Sequence, residues 1–452
     1  MKRINRILLA LVFIALVIIS WSIVLGSTSP TESQAILMER AAELAEEGKF
    51  KEATELLEEA AEYETERTFE AETELKKVYL ELIFKTEEFW YRDQAAYRRM
   101  YLDLLEKQMS RADATVDIFL EAANFYLLGE PSSISYMSAL EVLKDGIEKT
   151  GSETLIELYE DNRYAFRMGY NSYEEVTASY GRTIGVSLDG ESWGIANSAG
   201  ELIIRCDYDK ISTFDAGRAI VLKDGEIFAI DSNANRIALL KEDGATDFGN
   251  FANDRLPLLV NGKWRRATGE LVLRLTELDW IGTHSGGNAA AMLDGKWGVI
   301  DSSADWVIPN EYDGIIMDEL GRSYFRDTVF VRRGGSVYLL VDGQQVGEAF
   351  DDAKPFSNAG YAAVKKDGLW GFINTEGEVM IPYRFEDALS FGQHLAAVKV
   401  GDFWGYISLY GKVVIEPEFL QAKSFSNGNA PVLTERGWQF ISLLEYIERE
   451  GL

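Results

Sequence analysis

The sequence predicts a multidomain chain of the α plus all-β class. It comprises a transmembrane helix, a helical-repeat segment, and a β-repeat domain of propeller-like form, with an open β-solenoid as the alternative. Three observations predict this. Residues 7–25 are apolar and charge-free, residues 31–176 are rich in Glu, Ala and Leu, and a motif marked by Trp–Gly in its clearest copies returns at a near-constant interval between Trp193 and Trp438. At 452 residues the chain exceeds what one simple core organises, so two or three domains are expected.

The first element is the apolar run ILLALVFIALVIISWSIVL, which at about 1.5 Å per residue nearly matches a hydrocarbon core of about 30 Å. Lys2, Arg3 and Arg6 precede it and an acidic segment follows, so the positive-inside rule leaves a cytoplasmic tip and places the bulk outside. A cleaved signal peptide is the competing reading. The length of the run and the poor cleavage site at Val24-Leu25-Gly26-Ser27 favour an uncleaved signal anchor over residues 1–26. The expected location is therefore a single-pass cell-membrane protein of a bacterial envelope.

Residues 31–176 form the second element. Ala41 to Ala60 reads as two short helical patterns separated by Gly48, with Leu56, Leu57 and Ala60 on an apolar face and Phe50 where the helices meet. Phe119 to Gly129 and Tyr136 to Thr150 repeat the idea, and the stretch between is helical but longer and more aromatic. The first hairpin resembles a tetratricopeptide hairpin, with Gly48, Phe50 and Ala53 at the small, aromatic and small positions. A generic antiparallel bundle is the alternative. Either offers a groove suited to peptide or protein contacts.

The third element spans residues 182–443, with a short helical tail over 444–452. Asp294-Gly295-Lys296-Trp297-Gly298-Val299-Ile300-Asp301 recurs as Asp367-Gly368-Leu369-Trp370-Gly371-Phe372-Ile373-Asn374 and as Gly401-Asp402-Phe403-Trp404-Gly405-Tyr406-Ile407-Ser408. Trp193-Gly194 opens the series and Trp438 closes it, while Ile227, Trp264 and Val337 mark degenerate copies. Successive differences between these positions are 34, 37, 33, 40, 33, 34 and 34 residues, which makes eight units. The pattern resembles the WG (KWG) repeat family, which implies β-rich repeats on secreted or envelope proteins and no defined reaction. The hallmark residues are structural: Trp193, Gly194, Trp264, Trp297, Gly298, Trp370, Gly371, Trp404, Gly405 and Trp438.

Local chemistry explains the repeat. Asp-Gly before tryptophan is a two-residue hairpin turn that needs positive φ. With Asp367-Gly368 as the turn, Lys366 pairs with Leu369, Lys365 with Trp370, Val364 with Gly371 and Ala363 with Phe372. The lysine stem is then expected to cover the indole, as Lys399 does for Trp404, and the glycine to leave room for Val364 or Val398. Trp370 and Phe372 share one face, and Val364 and Ile373 the other. Both faces are apolar, so each hairpin must be covered on both sides.

A net charge of −29 excludes nucleic acid as partner, since a phosphate backbone needs a Lys/Arg footprint, and argues against docking on anionic lipid. Cys206 stands alone, so neither an internal disulfide nor a thiolate metal cluster is expected. The only histidines, His284 and His394, lack ligand spacing, no serine sits in a nucleophile elbow, and Gly286-Gly287 and Gly334-Gly335 read as turns. Asp313, Asp351 and Glu386 recur at equivalent positions; the periodicity favours turn caps, and convergence on a channel as paired glycosidase acids is the enzymatic alternative. No catalytic, cofactor or metal site is expected, and no ligand-binding residue is named. The expected function is a non-catalytic, membrane-anchored scaffold binding envelope proteins. A cell-wall glycan-binding module is the second reading and a propeller glycoside hydrolase the third.

Overall fold

The computed structural model describes residues 29–84, 91–127, 135–239 and 244–445. The predicted signal anchor lies outside them, as does all of the C-terminal tail beyond Glu445. Among the described residues no helix is long and apolar enough to cross a membrane. The chain divides into two compact units, 1–159 and 160–452.

The first unit is helical: α1 (Pro30–Glu46), α2 (Phe50–Ala61), α3 (Thr68–Phe84), α4 (Tyr91–Met109), α5 (Val116–Leu127), α6 (Tyr136–Thr150) and α7 (Glu153–Asn162), the last running across the division. Helix α1 starts at a capping box in which Ser29 and Glu32 satisfy each other's backbone amides, with Pro30 in the first turn. Gly48 turns the chain at φ +77°, and Leu37, Ala41, Ala53, Leu57 and Ala60 close the predicted hairpin into a core on which Phe50 packs. Buried Glu72 of α3 ties that helix to α4 and the residues after it, accepting from Arg111 at 2.6 Å and Gln108 at 3.1 Å. Burial raises its pKa, but these bonds and the Lys107 ion pair outweigh it and hold the carboxyl below its usual range.

A Cβ on Gly146 of α6 would lie 2.7 Å from Phe119 Cγ and 2.8 Å from Leu155 Cδ1. Alanine gains up to about 1 kcal/mol of helix propensity, but forcing the Phe119 ring aside costs about 1–3 kcal/mol. The collision wins. G146A is expected to destabilise the helical unit by about 1–2 kcal/mol in urea melts followed by far-UV circular dichroism; a variant as stable as the parent would overturn this.

The second unit is an eight-bladed β-propeller, each blade a four-stranded antiparallel sheet. Blade 6 shows the plan, with strands Asp352–Ala353, Ala362–Lys366, Leu369–Ile373 and Val379–Phe385. The expected register is present: Lys366 opposes Leu369, Lys365 opposes Trp370, Val364 opposes Gly371 and Ala363 opposes Phe372. Asp367 (φ 52°) and Gly368 (φ 83°) are both left-handed, as a type I′ hairpin requires. The two faces divide as predicted. Trp370 and Phe372 join Phe385, Phe391 and Val398 against blade 7, while Val364 and Ile373 join Phe330, Leu339 and Phe356 against blade 5. Apolar clusters of this kind lie between every pair of neighbouring blades, including the last and the first. The array is therefore closed, and the open solenoid is set aside.

Closure also corrects the predicted domain limits. The helical segment was expected to run to Val176, but the last described helix ends at Asn162. Phe166–Met168 is instead the fourth strand of blade 8, pairing with Ile441, Ser442 and Leu443 of the chain's last described strand, and Glu175–Val176 is the first strand of blade 1. Gly169 and Tyr173 continue the seam by donating to the carbonyls of Phe440 and Trp438. A ring sealed this way leaves no unpaired strand between its first and last blades.

Candidate functional site

Each third strand carries the residue at the tryptophan position. Trp370, Trp404 and Trp438 are buried, and Trp193, Trp264 and Trp297 are half-buried. All six pack into borders between blades, as Ile227 and Val337 do in the degenerate copies. Lys365 and Lys399 do oppose Trp370 and Trp404. The ammonium groups found over indole faces, however, are Lys354 on Trp370 and Lys423 on Trp438, both at 5.3 Å. They follow the first strands of their blades, a relation that hairpin pairing alone cannot reveal.

The glycine after tryptophan answers to a different neighbour from the one expected. Val364 and Val398 do pair with Gly371 and Gly405, yet the crowding comes from the other side. A Cβ would lie 2.3 Å from the Ile204 carbonyl oxygen at Gly194, 2.4 Å from that of Ile308 at Gly298, 2.7 Å from that of Ile381 at Gly371 and 2.5 Å from that of Ile415 at Gly405. In each case the pairing of third and fourth strands shifts at this glycine, and the irregular fourth strand pushes its backbone inward.

The recurrent acids serve turns. Asp209 Oδ2 accepts from the Asp224 amide at 3.0 Å, Asp313 Oδ2 from Gly334 at 2.9 Å and Asp351 Oδ2 from Gly368 at 3.1 Å. An acid closing one blade thus caps the second hairpin of the next. The Asp313 carboxyl is also bonded to Lys296 at 2.8 Å, and that bond, with the Gly334 amide, lowers its pKa. Glu386 stands at the matching place, its backbone amide bonded to the Lys399 carbonyl. Asp231, Asp301 and Asn374 close the third hairpins in a similar way, each accepting from amides two and four residues on.

The ring's centre is occupied by chain. The 40-residue step between Trp297 and Val337 is the longest in the series, and the extra residues fall after Gly314–Ile315, the first strand of blade 5. Asp318 folds this segment on itself, accepting from the amides of Leu320 and Arg322. The Leu320 carbonyl accepts from Asn250 of blade 3 and Thr283 of blade 4, and Glu319 pairs with Lys423 of blade 8 at 2.6 Å. Blades 5 and 8 stand three places apart, so that contact passes through the hub.

Beside this plug lies His284. Phe214, Phe251, Phe391 and Phe425 all stand thirteen residues before the tryptophan position of their blades, and His284 stands at that offset in blade 4. It is 1% exposed, and neither ring nitrogen has a hydrogen-bond partner among the described residues. Burial pushes its pKa down to about 3; Arg255 and Arg266 add to the shift and Asp301 opposes it. Aligning the repeats on tryptophan would have exposed this substitution; searching for metal-ligand spacing did not. His394, by contrast, is exposed, and Cys206 is half-buried with its thiol directed at the Val186 carbonyl.

Near His284, the first hairpin of blade 3 and the third hairpins of blades 3 and 4 border an open cleft of about 260 Å³ lined by Asn253, Asp254, Arg255, Arg266, Thr268 and Ser302, with Ala267. Nothing in the sequence singled these residues out. Among the described residues there is no group of three or more His, Cys, Asp or Glu placed to hold a metal.

The fold is thus an eight-bladed propeller in which four blades carry a Trp–Gly pair in the third strand. The family described as WG containing repeat matches residues 193–226, 297–318, 349–370, 370–402 and 404–438. No curated protein matches the chain. Among solved structures, Hsv2p of Kluyveromyces lactis is similar at 10% identity and a TM-score of 0.35, over 50% of this chain and 89% of that one. Apo AztD from Citrobacter koseri is similar at 10% identity and a TM-score of 0.35, over 59% and 94%. A eukaryotic initiation factor gives 10% and 0.37, over 58% and 79%. Superpositions this loose carry nothing over to the chain's chemistry.

Proposed function

We propose that the protein is a non-catalytic binding scaffold held at a bacterial cell membrane by its N-terminal segment, with the helical unit and the propeller displayed outside. The observation that carries the reading is how the repeat residues are used. The tryptophans fill blade borders and the recurrent acids Asp313 and Asp351 cap turns, so the repeats supply a platform whose loops are left for recognition. The helical unit is the proposed contact for envelope proteins, as a tetratricopeptide-like hairpin would suggest. Packing of the indoles into blade borders, with Trp370, Trp404 and Trp438 buried, weighs against the second reading, in which they stack on cell-wall sugars.

Crosslinking in intact cells of the source organism tests this. The expected result is recovery of one or a few envelope proteins with the full chain, lost when residues 30–162 are removed and Phe166–Met168 is kept to seal the ring. Recovery of cell-wall polymer that survives the deletion would replace the scaffold reading with glycan binding.

A further inference from the structure

The cleft between blades 3 and 4 has the composition of an oxyanion site. The half-buried arginines nearby are matched to carboxylates: Arg265 to Glu277, Arg322 to Asp318 and, in blade 5, Arg332 to Asp352. Arg255 breaks that habit. Its guanidinium donates to the Asn253 carbonyl at 2.9 Å and has no carboxylate partner among the described residues, in a chain with 74 acidic and 45 basic side chains. Arg266 lines the same cleft and is held across the blade border by its bond to the Ser302 carbonyl. The acids closest by are committed to turns. Asp254 accepts from the Gly269 amide at 2.9 Å, and Asp301 accepts from Ser303 and Asp305.

We propose that this cleft binds a compact oxyanion, a carboxylate or phosphate group, through the guanidiniums of Arg255 and Arg266, with the hydroxyls of Thr268 and Ser302 as further donors. Planar guanidinium forks match both anions in paired hydrogen bonds. A volume of about 260 Å³ sits just below the usual range for small-molecule pockets, which suits a small charged ligand or the end group of a larger one. The wall also explains its own cost. A long-range field from a net charge of −29 repels anions, so only a local pair of fixed cations can hold one. His284 reports on the site without contacting the ligand, because the Asn253 side chain joins the cleft rim to the His284 carbonyl at 3.4 Å. The inference does not depend on the scaffold reading.

Since the chain has only two histidines, His394 serves as an internal control. The full-length protein, labelled at its imidazoles, is titrated at constant ionic strength and pH with inorganic phosphate and, separately, with succinate. The expected result is a saturable displacement of the His284 resonance by at least one of the two, with His394 unmoved. The anion that binds more tightly identifies the ligand class. R255Q should weaken that binding about tenfold or more, the loss expected for one charge-assisted pair. D254N, which keeps the oxygen that accepts from Gly269, should tighten it, and this variant still tests the site if R255Q folds poorly. No saturable displacement with either anion, equal movement of both histidines, or affinity unchanged in both variants would overturn the proposal.

Discussion

Replacing Gly405 with alanine is expected to destabilise the propeller by about 3 kcal/mol or more, the upper end of what overpacking costs. The added carbon would lie 2.5 Å from the Ile415 carbonyl oxygen, 2.7 Å from Pro417 N and 2.9 Å from the Glu416 carbonyl carbon. All three are backbone atoms of one irregular strand, so no rotamer change relieves the contact. The strand itself would have to move, and it lies between Trp404 and the blade 8 border. A matched control separates collision from conformation. Gly225 has φ +78° and nothing within 4 Å of its hypothetical Cβ, so alanine there meets only the left-handed backbone penalty of about 1–2 kcal/mol. Urea melts followed by tryptophan fluorescence compare the two. A G405A protein as stable as G225A would mean that the fourth strand yields, and that the Trp–Gly pair is kept for another reason.

This contrast shows how far the sequence could be read. The eight tryptophan positions were countable because each blade needs one large residue at the same place against its neighbour, and the hairpin register followed from Asp367-Gly368 because a two-residue turn leaves no freedom. The reason for the glycine was not legible. It depends on a carbonyl from the fourth strand, whose register shift leaves no mark that local pairing rules detect. The sealing strand Phe166–Met168 escaped notice because three residues carry no periodicity and their partner lies at the other end of the chain. The plug was visible only as the longest step in the series, since spacing reveals an insertion but not where it folds. Arg255 and Arg266 carry no motif at all. They meet because two strands of one blade bring their ends together, a property of the tertiary fold.

Replacing His284 with phenylalanine is expected to stabilise the propeller, and by more as the pH falls. At neutral pH the gain is about 1–3 kcal/mol, because the substitution removes two buried nitrogens that have no partner among the described residues. The site accepts the ring: Phe251, Phe391 and Phe425 occupy the equivalent slot at 3% exposure or less. The pH dependence follows from linkage. The folded His284 has a pKa near 3, against 6.5 for the unperturbed group. Between those values the unfolded chain takes up a proton that the folded chain refuses, so the parent loses stability as pH drops from 6.5 towards 3 and is unaffected above that window. The slope approaches about 1.4 kcal/mol per pH unit in the middle of the window. Carboxylates contribute almost equally to both proteins and cancel in the difference. Denaturation at pH 7.5, 6.5, 5.5 and 4.5, conditions chosen to bracket the onset, should therefore show H284F drawing away from the parent only below about pH 6.5. A constant difference across the series would mean that the imidazole takes up its proton inside the fold at the same pH as in the unfolded chain. That result would place an unseen acceptor beside it. An oxyanion seated between Arg255 and Arg266 offsets their charge and raises the His284 pKa, so saturating phosphate or succinate should narrow the gap between the two proteins at pH 5.5, linking ring and cleft through one field.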